Sequence, residues 1–182
     1  ISGNIKYNGL MELDMKTTFA EAINDYCGGI QKKKDLKVIH VGGVTGGFLP
    51  PEKADTATDY ESLIDAGVLM GQASFAAYDA SACVIDLSLF SIGFNEGETC
   101  GKCTPCRIGL TLIKNKLTDI AEGRGKLEDL DKLQELCEEI SQTSLCGLGE
   151  TAPKAILTGL KYFGKEYERH IVDQTCDAAR CV

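Results

Sequence analysis

Cys100, Cys103 and Cys106 fall in one run, Cys100-Gly101-Lys102-Cys103-Thr104-Pro105-Cys106, and a fourth thiol, Cys146, lies far downstream in Ser144-Leu145-Cys146-Gly147-Leu148-Gly149. A 4Fe–4S cubane wants one thiolate on each of its four irons. Three cysteines spaced by two residues reach three corners from one turn of chain, and the fourth corner is then filled from elsewhere in the fold. Small residues near the sulfurs let main-chain N–H groups approach them. Such hydrogen bonds raise the reduction potential by favouring the more negative reduced state. Two other chemistries are compatible with the spacing. Zinc is one, although its sites usually pair two separate two-ligand knuckles. A thioredoxin-like C-x-x-C pair is the other, but it leaves the third cysteine unexplained.

The composition narrows the setting. Nine cysteines among 182 residues is an odd count, which fits a closed disulfide framework poorly. The start of the chain lacks the basic and apolar regions of a secretory signal. A reducing, cytoplasmic compartment is therefore expected, where cysteines more often bind metal or do redox work. A formal net charge of −8 argues against nucleic acid as a partner, since surfaces that bind phosphate backbones are basic. No apolar run approaches the roughly 20 residues needed to span a bilayer, so direct membrane insertion is not expected. The first residue is not Met, which suggests that the chain begins partway through a longer protein.

The elements that must position these thiols divide into two kinds. Residues 1–50 read as a small α/β unit. Met11, Leu13 and Met15 alternate with Glu12 and Asp14, a strand pattern. Thr18-Phe19-Ala20-Glu21 is a capping box that opens a short helix with Phe19, Ile23 and Cys27 on one face, and Gly28-Gly29 stops it. Lys37-Val38-Ile39-His40-Val41 is a strand, with His40 a core or edge histidine. The following Gly42-Gly43-Val44-Thr45-Gly46-Gly47 matches neither common phosphate-binding fingerprint and reads as a tight turn. Residues 51–75 form a connector, in which Thr58-Asp59-Tyr60-Glu61 is a second capping box. Beyond residue 80 the pattern is helical, over 82–94, 105–121, 126–142 and 153–170, and short loops between them suggest a bundle. Glu135, Glu138 and Glu139 mark a solvated face. The fold class expected is α+β: a small β-grasp domain at 1–75, a four-helix-bundle iron–sulfur domain at 76–170, and a tail at 171–182 that leads toward a further domain.

Glu98-Thr99-Cys100-Gly101-Lys102-Cys103-Thr104-Pro105-Cys106-Arg107-Ile108-Gly109 resembles the signature of the NADH-binding flavoprotein subunit of respiratory complex I and of the matching subunit of NAD(P)-linked, electron-bifurcating hydrogenases. Thr143-Ser144-Leu145-Cys146-Gly147-Leu148-Gly149 resembles that family's second signature, and its spacing from the first agrees. Upstream, Gly42–Gly47 with Pro50, then Asp59-Tyr60-Glu61-Ser62-Leu63, resembles the family's soluble-ligand-binding β-grasp (SLBB) domain. The resemblance implies a 4Fe–4S cluster on Cys100, Cys103, Cys106 and Cys146. It implies that NAD(P)H delivers hydride to FMN on an N-terminal domain outside this sequence. The cluster then accepts electrons singly and passes them to a partner subunit, such as a 2Fe–2S subunit or a hydrogenase-like or complex I-like subunit. The protein's part is placement and tuning of potential, to which Lys102 and Arg107 contribute if they are not merely surface charges. This stretch alone is not expected to be catalytic. The alternative reading is a β-grasp binding or assembly module with a structural zinc site.

Five cysteines remain. Cys27 and Cys137 lie on apolar helix faces and read as core residues. His170, Cys176 and Cys181 supply one imidazole and two thiols, which want a fourth ligand for tetrahedral zinc. The tail resembles that of the bifurcating-hydrogenase subunits, where a similar set looks like a zinc-binding hinge. Cys83 matches a cysteine position upstream of the family's cluster signature. The resemblance thus implies zinc on Cys83, His170, Cys176 and Cys181, with Cys137 as reserve ligand. A frayed terminus with free thiols and a second iron–sulfur site are the alternatives.

Overall fold

Side chains along residues 38–41 alternate between two faces, and that alternation organises the molecule. Val38 packs among the helices, whereas Ile39 and Val41 join Phe19, Ile23, Leu49 and Leu63 on the other face. A strand buried on both faces must sit inside a sheet. The computed structural model, which describes all residues from Ile1 to Val182, places it there. Strands β1 (Ser2–Gly3), β2 (Leu36–Val41), β3 (Gly47–Leu49) and β4 (Phe75–Asp79) form one sheet in the order β1-β4-β2-β3. β2 runs antiparallel to both β3 and β4, and β1 is parallel to β4. The chain is therefore a mixed α+β protein.

Helix α1 (Phe19–Glu21) opens on the expected capping box, with the Thr18 hydroxyl accepting from Glu21 N and Glu21 returning the bond to Thr18 N at 2.8 Å. It runs on as a π turn over Ala22–Tyr26, and Gly28 and Gly29, both at positive φ, end it. The short α2 (Tyr60–Asp65) is capped by Asp59, which accepts from Ser62 N. This corrects the expected cap at Thr58, whose hydroxyl instead bonds Met15 O.

Helices α3 (Val84–Glu98), α4 (Thr104–Ala121), α5 (Glu128–Thr143) and α7 (Lys154–Val172) pack on one another, with the single-turn α6 (Gly147–Thr151) between the last two. Their core includes Ile85, Ile92, Leu110, Ile113, Leu117, Leu133, Ile140, Ile156 and Tyr167. α7 bends at Phe163, which leaves helical geometry at φ −126° just before Gly164. The helices meet the sheet through Thr158, whose hydroxyl accepts from Phe48 N at 2.8 Å. Asn95 adds a second tie by donating to Val44 O at 2.8 Å.

Two expectations need correction here. Met11–Met15 is irregular chain: Met11 and Leu13 are half-buried beside the sheet, but no strand edge pairs with them. Conversely Phe75–Asp79, at the end of the expected connector, is the strand between β1 and β2. The last residues, 173–182, fold back on the helices. Val182 N donates to Ala121 O at 2.7 Å, and Arg169 grips Asp177 through both carboxylate oxygens at 2.6 Å.

Candidate metal centres

The first centre is built on the start of α4. Gly101 takes a left-handed φ of +71°, which turns the chain back after Cys100. Cys103 is the N-cap of the helix, Pro105 follows in its first turn, and Cys106 points into the core. Two of the three sulfurs thus lie at a helix N-terminus, where negative charge is favoured. Cys146 arrives on the loop that opens α6, and Cys106 feels the charges of Cys103, Cys146 and Cys100. The Leu145 N–H bonds the Cys103 sulfur and holds its pKa below the usual thiol value. Burial pushes Cys106 the other way, partly offset by the Thr99 hydroxyl 3.1 Å from its sulfur. Cys100 and Cys146 are exposed.

This loop-on-turn packing depends on Gly149. A Cβ there would collide with the Ser144 side chain and press on Cys106 Cβ at 3.2 Å. The Ser144 hydroxyl is buried and, with the Leu145 N–H, helps to hold down the pKa of the Cys103 thiol. Four thiols around a small-residue cradle, with an N–H and a buried hydroxyl beside one of the sulfurs, fit an iron–sulfur group. Lys102 and Arg107 are both exposed, and Arg107 donates to Gly101 O at 2.5 Å, so it braces the turn. Sequence reasoning alone does not single out Thr99 or Ser144 for a role, although both stand within the quoted cysteine runs.

The second set lies at the far end of α3 and α7. Donor atoms of Cys83, His170, Cys176 and Cys181 all fall within 4.8 Å of one another. His170 Nε2 is 3.1 Å from Cys181 Sγ and 3.5 Å from Cys83 Sγ, and Cys181 Sγ is 3.4 Å from Cys83 Sγ and 3.5 Å from Cys176 Sγ. Cys83 and His170 are buried, while the tail cysteines are half-buried. Burial lifts the Cys83 thiol to about 11. Burial acts in the same direction on Cys176, but hydrogen bonds from the N–H groups of Arg180 and Cys181 outweigh it and bring that thiol to about 6. Cys137 and Cys27 are fully buried elsewhere, and burial raises both thiols.

Comparison with known proteins gives the class. Residues 86–170 match the NADH-ubiquinone oxidoreductase-F iron–sulfur binding region, and this stretch belongs to that family. Among curated relatives, it is 40% identical over its whole length to the NADP-reducing hydrogenase subunit HndC of Solidesulfovibrio fructosivorans, of which it covers 37%. It is 34% identical to the second F-type NADH-quinone oxidoreductase subunit of Rhizobium meliloti (strain 1021), with 97% of this chain and 42% of that protein aligned. The chain therefore spans about two-fifths of the length of these relatives. In fold it matches an NAD+-reducing NiFe hydrogenase in its H2-reduced state, with a TM-score of 0.83 at 24% identity, over 93% of this chain and 28% of that one. No helix is long and apolar enough to cross a membrane.

Proposed function

We propose that the chain is the electron-transfer portion of an NAD(P)H-linked oxidoreductase subunit, with a 4Fe–4S cluster on Cys100, Cys103, Cys106 and Cys146. The observation that carries this is the packing of the Leu145–Cys146 loop against the three-cysteine turn, at the heart of the matched iron–sulfur region. A bound cluster would supply one-electron storage between a two-electron flavin and one-electron partners. The chain's residues set the conditions. Cys106 anchors one corner in the core, the Leu145 N–H and the Thr99 hydroxyl favour negative charge on sulfur, and exposed Cys100 and Cys146 leave a face open to a redox partner. FMN and NAD(P)H would bind on a part of the protein outside this sequence, and a cluster in a partner subunit would take the electrons, in the cytoplasm. The sheet unit, expected over 1–75, corresponds in this reading to the SLBB-like β-grasp domain and 76–170 to a four-helix iron–sulfur domain. The tail, 171–182, leads toward a further domain. Anaerobic reconstitution should yield about four irons and four sulfides per chain. Cys146→Ser should lose or convert the cluster, and an unchanged 4Fe–4S spectrum in that variant would overturn the ligand set.

A specific observation favours a second metal. Three thiols and one imidazole within 4.8 Å, on Cys83, His170, Cys176 and Cys181, suit tetrahedral Cys3His zinc. The zinc would pin the tail to the bundle as a structural hinge. Elemental analysis should find about one zinc per chain, falling sharply in His170→Ala. Iron alone after metal-replete expression would overturn this reading.

A further inference from the structure

Cys83 and His170 are held by two residues that are not ligands. Cys83 is the N-cap of α3, and the peptide groups on either side of it are clamped. Ala82 O accepts from Lys37 Nζ at 2.6 Å, and Val84 N donates to Glu166 Oε1 at 3.0 Å. The clamps are themselves joined, because Lys37 Nζ and Glu166 Oε1 pair at 3.0 Å. Their side chains are only 20% and 13% exposed, sheltered enough that water screens the pair weakly.

Glu166 reaches the second ligand through its main chain. Its carbonyl oxygen lies 2.8 Å from His170 Nδ1, and a carbonyl can only accept. That contact assigns the proton to Nδ1 and turns the Nε2 lone pair toward the sulfurs of Cys181 and Cys83. One residue therefore fixes the ring of one donor and the chain entry of another. Lys37 adds a connection to the sheet, since it belongs to β2.

The geometry points to Glu166 and Lys37 as positioning residues of a zinc centre on Cys83, His170, Cys176 and Cys181, coupling the central strand to the metal. The inference rests on the zinc reading above and goes beyond it. Charge explains why the two residues come as a pair. Zn2+ with three thiolates and a neutral imidazole carries a net −1, and Glu166 alone would set a second negative charge beside it. Lys37 cancels that charge while holding Ala82 O. Outer partners that orient metal ligands typically tune affinity 10- to 100-fold.

The test uses the full 182-residue chain with its iron content checked to be unchanged. Zinc affinity is measured by competition with a chromogenic chelator, and the ligand field by the visible spectrum after Co2+ loading. Lys37→Met and Glu166→Ala should each bind zinc 10- to 100-fold more weakly and shift the cobalt bands. Glu166→Gln keeps an acceptor for Val84 N, and Lys37→Arg keeps the charge pair, so both should recover part of the loss even if the harsher variants fold poorly. Lys116→Met removes a comparable ion pair, with Asp129, remote in sequence from all four ligands, and should leave affinity and spectrum alone. If the unaltered chain takes up no zinc or cobalt, the zinc reading itself falls. Normal uptake with affinity and spectrum unmoved by the Lys37 and Glu166 substitutions would overturn only the positioning role. Equal losses in Lys116→Met would do the same.

Discussion

The Thr99 hydroxyl stands 3.1 Å from the Cys106 sulfur, at the one cluster-site thiol that is buried in the core. Thr99 comes from the segment that closes α3, so this contact links that helix end to the first turn of α4. A donor aimed at sulfur favours the more negative, reduced state of a cluster. Thr99→Val should therefore lower the reduction potential. A hydrogen bond contributes about 0.5–1.5 kcal/mol, which for one electron is roughly 20–65 mV. Redox titration followed by EPR measures it, and a potential that stays put or rises would count against Thr99 as a donor to the cluster.

Gly149→Ala makes a sharper steric demand. The added methyl would meet both Ser144 and Cys106, which carry the two halves of the site. Overpacking of this kind typically costs about 1–3 kcal/mol. Because the clash would separate the Cys146 loop from the three-cysteine turn, iron and sulfide content should fall more steeply than thermal stability. Full cluster content in Gly149→Ala would show that the loop tolerates displacement.

His40 offers a test of the junction between sheet and helices. It is 7% exposed, its ring centroid lies 4.7 Å from that of Phe48, and its Nε2 has no partner. Burial drives its pKa from the ordinary 6.5 down to about 4. Above pH 6.5 neither folded nor unfolded chain protonates this residue, so it adds no pH dependence there. Between pH 6.5 and 4 the unfolded chain takes up a proton that the folded chain refuses. Stability should thus fall with pH across that window, by roughly 3 kcal/mol in all. Urea unfolding of the unaltered chain and of His40→Leu, run from pH 7 to 4, should give curves whose difference changes steadily across that window, the unaltered chain losing more stability as pH falls. Parallel curves would mean that His40 gains its proton without disturbing the fold.

Both candidate ligand sets stand out in the sequence because cysteine and histidine carry distinctive chemistry and their spacing is informative. The long helices were legible because apolar residues such as Ile113, Leu117 and Ile120, all buried, recur at helical spacing, although Ile108 and Leu112, which the same pattern includes, are exposed. The sheet was harder. β1 has two residues and β3 three, too few for an alternation to register, and β4 presents Ala76 and Ala77 beside Phe75, a weak apolar signal. Met11–Met15 erred in the opposite direction: its alternation is real, but a strand also needs a partner edge, which local sequence does not encode. Lys37 and Glu166 lie far apart in the chain and carry no motif, so their pairing around Cys83 emerges only from the fold.

Removing metal from the tail set should free a defined segment. Cys176 and Cys181 are the only proposed zinc ligands contributed by residues 173–182, and several polar contacts already hold that stretch: Val182 N to Ala121 O, Gln174 Nε2 to Gly123 O, and Arg180 to Asp86. The Arg180 and Asp86 side chains are 60% and 45% exposed, so their pair contributes little by itself. Zinc, by joining the tail thiols to buried Cys83 and His170, would supply most of the remaining hold. A ligand that binds only the folded chain adds about 2.7 kcal/mol at 100 times its dissociation constant. For a chain of this size that is a rise in Tm of roughly 5–10 °C. Chelation should reverse the rise and speed amide exchange at residues 174–182, while the sheet amides of Val38 and Ile39 stay protected. His170→Ala should exchange fast at the tail whether or not zinc is supplied. A tail equally protected with and without metal, at an unchanged Tm, would mean that the polar contacts alone keep it in place.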